Sequence, residues 1–411
     1  MEGPVRFLVL MQNNHELRGT GGLISAVGEL TVENAQVGDL VLIDAYDIFD
    51  RNIVHPVAPE PMRRYMGIEY MTLRDANWSP DLPTSAQAVR HLYYLHRGEL
   101  LDGVVTLDLR AVQLVIDGLG GVRLEGVDEL ITGENVVEIV QELWANPQGT
   151  EGGLDGGNWR EWYGQRKDFI PNLAGAILRR LTSGEASLLR VAFAAQQALA
   201  DRSVQIWFSD RGVMAELAPQ GWDGALHPKP GQDYLSLVET NVGYNKVNAV
   251  VERSVTYSVS WPDGGDGPGL ATLQVEYVHP IQKPGHVCDL TPRYGDSYEE
   301  MFERCYFSYV RLYVPRGSEL IQIEGVEPDS VQSSRGEQRT QIFSGYMVIR
   351  PGESHTVTFT YHLPPQIGPE GYELVVQRQA GMAALPFTFA QEDGRQQQAL
   401  VRQNWMSFRV R

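Results

Sequence analysis

The chain has 411 residues, 43% of them apolar and 21% charged, and carries a formal net charge of −18. That length suffices for two or three domains, and the balance is that of a folded globular protein rather than a disordered one. The negative charge argues against sequence-independent nucleic-acid binding, which needs a basic face to displace counterions.

No apolar run of about 18 residues occurs, so no membrane span is expected. The opening residues MEGPVRF lack the basic-then-apolar pattern of a signal peptide, so a targeting segment is expected only outside the chain. From the N-terminus, apolar strand-like runs occur at RFLVLM (6–11), LISAVGELTV (23–32), DLVLIDAY (39–46) and GVVTLDL (103–109). Between the last two, PTSAQAVRHLYYLHR reads as a helix opened by a Thr84/Gln87 capping box, with Val89, Leu92, Tyr93 and His96 on one face. A second helix, RAVQLVIDGL, is expected to end at Gly120–Gly121. A third follows Thr132, with Val136, Val140, Leu143 and Trp144 on one stripe. After the glycine-rich stretch 145–158, helical periodicity returns around 169–181 and 185–199, with Thr182 and Glu185 as another capping box. Helices alternating with strands predict an α/β layered domain.

Around residue 250 the period changes to two. SVTYSVSW sets Val255, Tyr257, Val259 and Trp261 on one face, and HTVTFTYHL does the same with Val357, Phe359, Tyr361 and Leu363. With turns such as WPDGGDGPG and LPPQIGPEG, this predicts an all-β immunoglobulin-like sandwich. The expected domains are 1–245 and 246–411.

HExxH, GxSxG, Walker A and GxGxxG followed by a helix are all absent. Arginines and carboxylates do gather at expected strand ends: Glu16 and Arg18, Asp44 and Asp47, and Arg74 and Asp75. Arg160, Arg166 and Lys167 stand before a helix. Taken singly, each reads as a surface ion pair. Their shared position beyond strand ends instead suits a ligand cleft, where arginines match phosphate oxygens and carboxylates hold Mg²⁺. The glycines of RGTGG precede a strand rather than a helix, so they read as a tight turn and not as a phosphate loop assisted by a helix dipole. Cys288 and Cys305 belong to no CxxC-type motif; spacing alone leaves a disulfide and two separate thiols equally open.

The segments FLVLMQNNHELRGTGGLIS, RDANWSPDLPTSA, WREWYGQRKDF, YVRLYVPRGSEL and VVQRQAG resemble an uncharacterised bacterial envelope family, catalogued only as a domain of unknown function, over nearly the whole chain. That family carries an N-terminal membrane helix before an extracytoplasmic body, so a shortened form is expected here. More distantly, LLDGVVTLDLRAVQLVIDGLGGVRL and QRKDFIPNLAGAIL are similar to the LytR-CpsA-Psr phosphotransferases, which move glycopolymers from polyprenyl pyrophosphate to peptidoglycan with Mg²⁺. The resemblance places Arg166 on one of that family's functional arginines and Asp47 on its strand-end aspartate. Tyr46 and Tyr163 stand where two further family arginines are found.

What the resemblance implies is a cell-envelope protein that binds, and in an active form transfers, polyprenyl-linked glycans. In this expectation Asp47, Arg74, Asp75 and Arg166 are catalytic, Glu16, Arg18, Arg160 and Lys167 bind ligand, and Asp47 and Asp75 hold Mg²⁺. The alternative is a non-catalytic surface scaffold with a degenerate transferase-like domain, assembling as a homo-oligomer or surface array. An extracytoplasmic setting also favours a Cys288–Cys305 disulfide.

Overall fold

The computed structural model describes residues 3–409 except 35, 46–47, 49, 51, 126, 145–158, 263–266 and 293–296; at 39, 143–144 and 159–168 it describes the backbone alone. The first unit is built on a five-stranded sheet. Its strands are β1 (Val5–Asn13), β2 (Leu23–Glu33), β3 (Gln36–Asp44), β4 (Gly103–Leu107) and β5 (Val204–Phe208), in the order β3-β2-β1-β4-β5. Only β1 and β4 run parallel; the other pairs are antiparallel. The helices are α1 (Glu60–Met66), α2 (Leu82–Arg97), α3 (Leu109–Leu119), α4 (Val136–Trp144), α5 (Trp159–Thr182), α6 (Leu188–Ala200) and α7 (Arg211–Leu217).

Helix α2 makes the crossover between the parallel strands. It lays Leu82, Ala86, Val89, Leu92 and Tyr93 against Leu8, Leu10, Ile24, Val27 and Val104 of the sheet. Its cap is Asp81, not the expected Thr84: the Asp81 carboxylate accepts the Thr84 amide at 3.2 Å and the Leu226 amide at 3.0 Å. A carboxylate fixed from a second segment caps more firmly than a threonine hydroxyl acting alone.

A second cluster joins Ile116 and Leu119 of α3, Val136 and Ile139 of α4, and Phe169 and Leu173 of α5. Helix α5 begins at Trp159 rather than near Phe169, and so carries Pro171 in its interior. The Thr182 hydroxyl turns back to the Leu178 carbonyl at 2.9 Å, and Ser187 stands at the N-cap position of α6 without a side-chain cap bond; the expected Thr182/Glu185 box does not form.

The second unit is a sandwich of two six-stranded sheets. Its strands are β6 (Asp233–Asn241), β7 (Glu252–Ser260), β8 (Leu270–Val278), β9 (Tyr306–Pro315), β10 (Glu319–Glu324), β11 (Gln332–Arg335), β12 (Thr340–Ile349), β13 (Ser354–His362), β14 (Glu373–Gln377), β15 (Leu385–Ala390), β16 (Gln396–Val401) and β17 (Trp405–Arg409). The orders are β10-β13-β8-β7-β15-β16 and β11-β12-β9-β6-β14-β17. Inward residues of both sheets, among them Tyr257, Leu273, Phe359 and Phe387 from one and Leu237, Leu312, Phe343 and Leu374 from the other, form one core. The expected period-two strands are present.

The likeness to an immunoglobulin arrangement stops at two packed sheets, because β6 pairs parallel with β14 and β7 parallel with β15. The expected boundary at 245 is also corrected: β6, Asp233–Asn241, is an interior strand of the sandwich. Strands β6 and β9 are buried along their whole lengths. The opposite sheet covers one face; on the other lie Ala58, Met62 and Leu226 from the first unit. A disulfide joins Cys288 to Cys305 just before β9. No described helix is long and apolar enough to cross a membrane.

Candidate functional site

The turn 14–22 follows β1 and enters the seam between the two units. Leu17 joins the sandwich core, while Gly19 packs so tightly that a Cβ there would lie 2.5 Å from the Ser79 backbone. These glycines therefore serve close backbone approach, as expected of a turn. Between them the turn buries Arg18 at 1% exposure.

All three guanidinium nitrogens of Arg18 donate to protein oxygens. Its Nε donates to Asp75 Oδ1 at 3.1 Å, Nη2 to Glu16 Oε1 at 3.0 Å, and Nη1 to the carbonyls of Leu17 at 3.2 Å and Asn241 at 2.5 Å. Asp75, wholly buried, accepts from Arg74 Nε through its other oxygen at 3.1 Å. Glu16 accepts from Lys246 Nζ at 2.6 Å. Burial alone would raise the Glu16 carboxyl, but the Lys246 ammonium and the Arg18 guanidinium outweigh it and hold the group below its ordinary range. The sequence thus marked four members of one network, Glu16, Arg18, Arg74 and Asp75. It missed Lys246, which comes from the link between β6 and β7 and carries no motif.

Glu16, Arg18, Arg74 and Lys246 line one end of a cavity of about 800 Å³, together with Tyr244 and Asp44. The rest of the wall is largely apolar: Val112 from α3, Val136 and Val140 from α4, and Phe169, Leu173 and Ile177 from α5. Asp108, the cap of α3, also lines it; burial pushes its carboxyl up to about 7, and nearby Asp201 adds to the push. Burial likewise lifts the Tyr244 phenol to about 12, so it stays protonated and donates to the Met66 carbonyl at 2.5 Å. The arrangement offers a charged end to a polar head and a hydrocarbon wall to a tail. Both are features of a small-molecule site, and the volume lies toward the upper end of the usual range of about 300–1,000 Å³.

Asp47 lies outside the described residues. Arg160, Arg166 and Lys167 fall on the first turns of α5, not on a loop before it, and their side chains are outside the described set. Asp75 does not fit the expected Mg²⁺ role, since both its oxygens face guanidinium groups. Among the described residues no group of three or more His, Cys, Asp or Glu side chains is gathered as a metal ion requires. Arg18, expected to hold ligand, directs its donors at protein oxygens and acts as the anchor of the network.

At the level of families, the protein of unknown function family DUF4012 matches residues 2–143, a shorter span than the resemblance in the sequence indicates. Among solved structures the chain is distantly similar to LytR-CpsA-Psr proteins. The LytR-Csp2A-Psr enzyme from Actinomyces oris is 11% identical over 54% of this chain and 76% of its own, with a TM-score of 0.31. TagT from Bacillus subtilis is 13% identical over 54% and 75%, with a TM-score of 0.28. The Lin1025 protein from Listeria innocua is 12% identical over 55% and 78%, with a TM-score of 0.31. Scores this low carry no argument about chemistry, which rests on the cavity's own residues. No curated protein matches the sequence.

Proposed function

We propose that the first unit binds an amphipathic anionic lipid of the polyprenyl phosphate or pyrophosphate class, as a cell-envelope protein handling lipid-linked glycans. The observation that carries this reading is the joining of a charged end and an apolar wall in one cavity of about 800 Å³. Within the buried network three cations, Arg18, Arg74 and Lys246, face two carboxylates, Glu16 and Asp75, with Asp44 a further carboxylate on the cavity wall. Arg74 is the most exposed of the three cations, at 21% against 1% and 6%, and is placed to meet a phosphate; Lys246 lines the same cavity. The α4 and α5 side chains would take the prenyl chain, each buried methylene contributing about 0.8 kcal/mol. The disulfide supports an oxidising, extracytoplasmic setting.

The test is titration of farnesyl phosphate and farnesol into the full chain by calorimetry, alongside Arg74→Ala and Val140→Trp. Farnesyl phosphate is expected to bind more tightly than farnesol, Arg74→Ala to weaken the phosphate by about tenfold, and Val140→Trp to weaken both. Equal binding of both ligands, or unchanged affinity in both variants, removes the lipid-phosphate assignment and favours the scaffold reading.

A further inference from the structure

Helix α5 carries apolar side chains at four-residue steps, and consecutive members of such a row are neighbours on the helix surface. Phe169, Leu173 and Ile177 of this row line the lipid cavity. Its next member, Leu181, is exposed. The apolar row that walls the cavity thus runs on, about one helical turn further, to the outside of the molecule.

Helix α6 follows directly after the connection 183–187. It buries Ala194 and Ala198 beside Leu114 of α3 and turns the other side of its first two turns outward. There Leu188 is 82% exposed, Leu189 67% and Phe193 62%. These three fall within an arc of about 140° around the helix axis, with exposed Ala192 between them, so they form one face. An exposed leucine standing alone is ordinary, but a contiguous apolar face at a helical corner marks an interaction surface.

The charges around that face select the partner. Arg179 and Arg180 stand in the last turn of α5, and Arg190 on the flank of α6. Of the nearby acids, Glu185 is paired with Arg180, and the Asp117 carboxylate is turned to the Gly133 amide at 2.9 Å. Arg190 itself reaches the Asp117 carbonyl at 3.3 Å. Arginines gathered beside exposed leucine and phenylalanine stand out in a chain of net charge −18. Two copies meeting here would set these arginines against their own counterparts, whereas an anionic lipid surface answers both the charge and the apolar face. We propose that the α5–α6 corner docks on an anionic bilayer surface, with Leu188, Leu189 and Phe193 at the boundary of headgroups and acyl chains and the arginines on lipid phosphates. The choice of a bilayer rests on the lipid reading of the cavity, since the α5 row then joins that cavity to the membrane that supplies its ligand.

The experiment is flotation of the full chain with vesicles of phosphatidylcholine alone and of phosphatidylcholine with phosphatidylglycerol. Binding to the anionic vesicles is expected, weakened by added salt and reduced about tenfold by Leu188→Glu and by Phe193→Glu. Both positions are exposed, so the fold is kept, and each variant should bind farnesyl phosphate in vesicle-free buffer as wild type does. Absence of vesicle binding, vesicle binding that both variants leave intact, or a concentration-dependent dimer that both variants dissolve overturns the proposal. The lipid reading of the cavity fails separately, through absence of farnesyl phosphate binding to the wild type; vesicle binding lost in both variants upholds the docking face in either case.

Discussion

Asp75 concentrates the energetics of the seam in one carboxylate, held between Arg18 and Arg74 with no exposure. Replacing it by Asn removes one negative charge from between two guanidinium groups and leaves buried Arg18 with Glu16 alone, a carboxylate it shares with Lys246. Asp75→Asn is expected to lower unfolding free energy by roughly 3–5 kcal/mol, read by urea denaturation; a loss below about 1 kcal/mol would show the network to be slack. Its members were legible because the sequence placed charge pairs after strands. Lys246 was not, since its partner Glu16 lies 230 positions away and chain spacing says nothing about such a pair.

Asp108 gives a pH signature at the same scale. Its folded carboxyl titrates near 7 against 3.8 in the unfolded chain, because it is buried. A raised carboxylate pKa stabilises most below pH 4, and that contribution falls as pH rises toward 7, by about 4 kcal/mol in all for such a shift. Asp233, bonded by the hydroxyls of Tyr257 and Tyr372 and lifted by burial to about 6, acts in the same direction in the sandwich core. Asn caps a helix as well as Asp does. The stability difference between wild type and Asp108→Asn should therefore fall steadily from pH 4 to pH 7 and level off above it; a difference independent of pH would contradict the buried assignment.

Among the elements, the pairing of α3 with α6 depends on one glycine. A Cβ at Gly118 would come within 2.9 Å of Ala194 Cβ, so the helices meet almost backbone to backbone. Gly118→Leu is expected to force them apart at a cost of about 1–3 kcal/mol, seen as a lower melting temperature. An unchanged melting temperature would mean that the contact is not tight.

Periodicity showed where most of these elements lie, because an amphipathic stripe is a local property of the chain. Their ends were less legible. The α2 cap came from Asp81, which is fixed in part by the distant Leu226 amide. The start of α5 was hidden by Pro171, which suits a first turn but here lies well inside the helix. The strand β6 escaped for a related reason: buried on both faces, it shows no period-two alternation of apolar and polar residues.

At the scale of the whole molecule, the two units are locked rather than linked. Leu17 sits in the sandwich core, Arg18 donates to the Asn241 carbonyl, Gln379 donates to the Arg18 carbonyl at 2.9 Å, and Arg202 donates to the Arg378 carbonyl at 3.0 Å. Both units should therefore melt in a single calorimetric transition; two resolved transitions would contradict the lock.

The position of β6 also governs timing. Its antiparallel neighbour β9 follows only after β7 and β8, and its parallel neighbour β14 comes from close to the C-terminus. During synthesis this strand, buried in the folded protein, leaves the ribosome long before either edge can be paired, and loop closure must precede any gain from pairing. The sandwich is thus a late-closing structure whose central strand waits in the open, exposed to association with other chains.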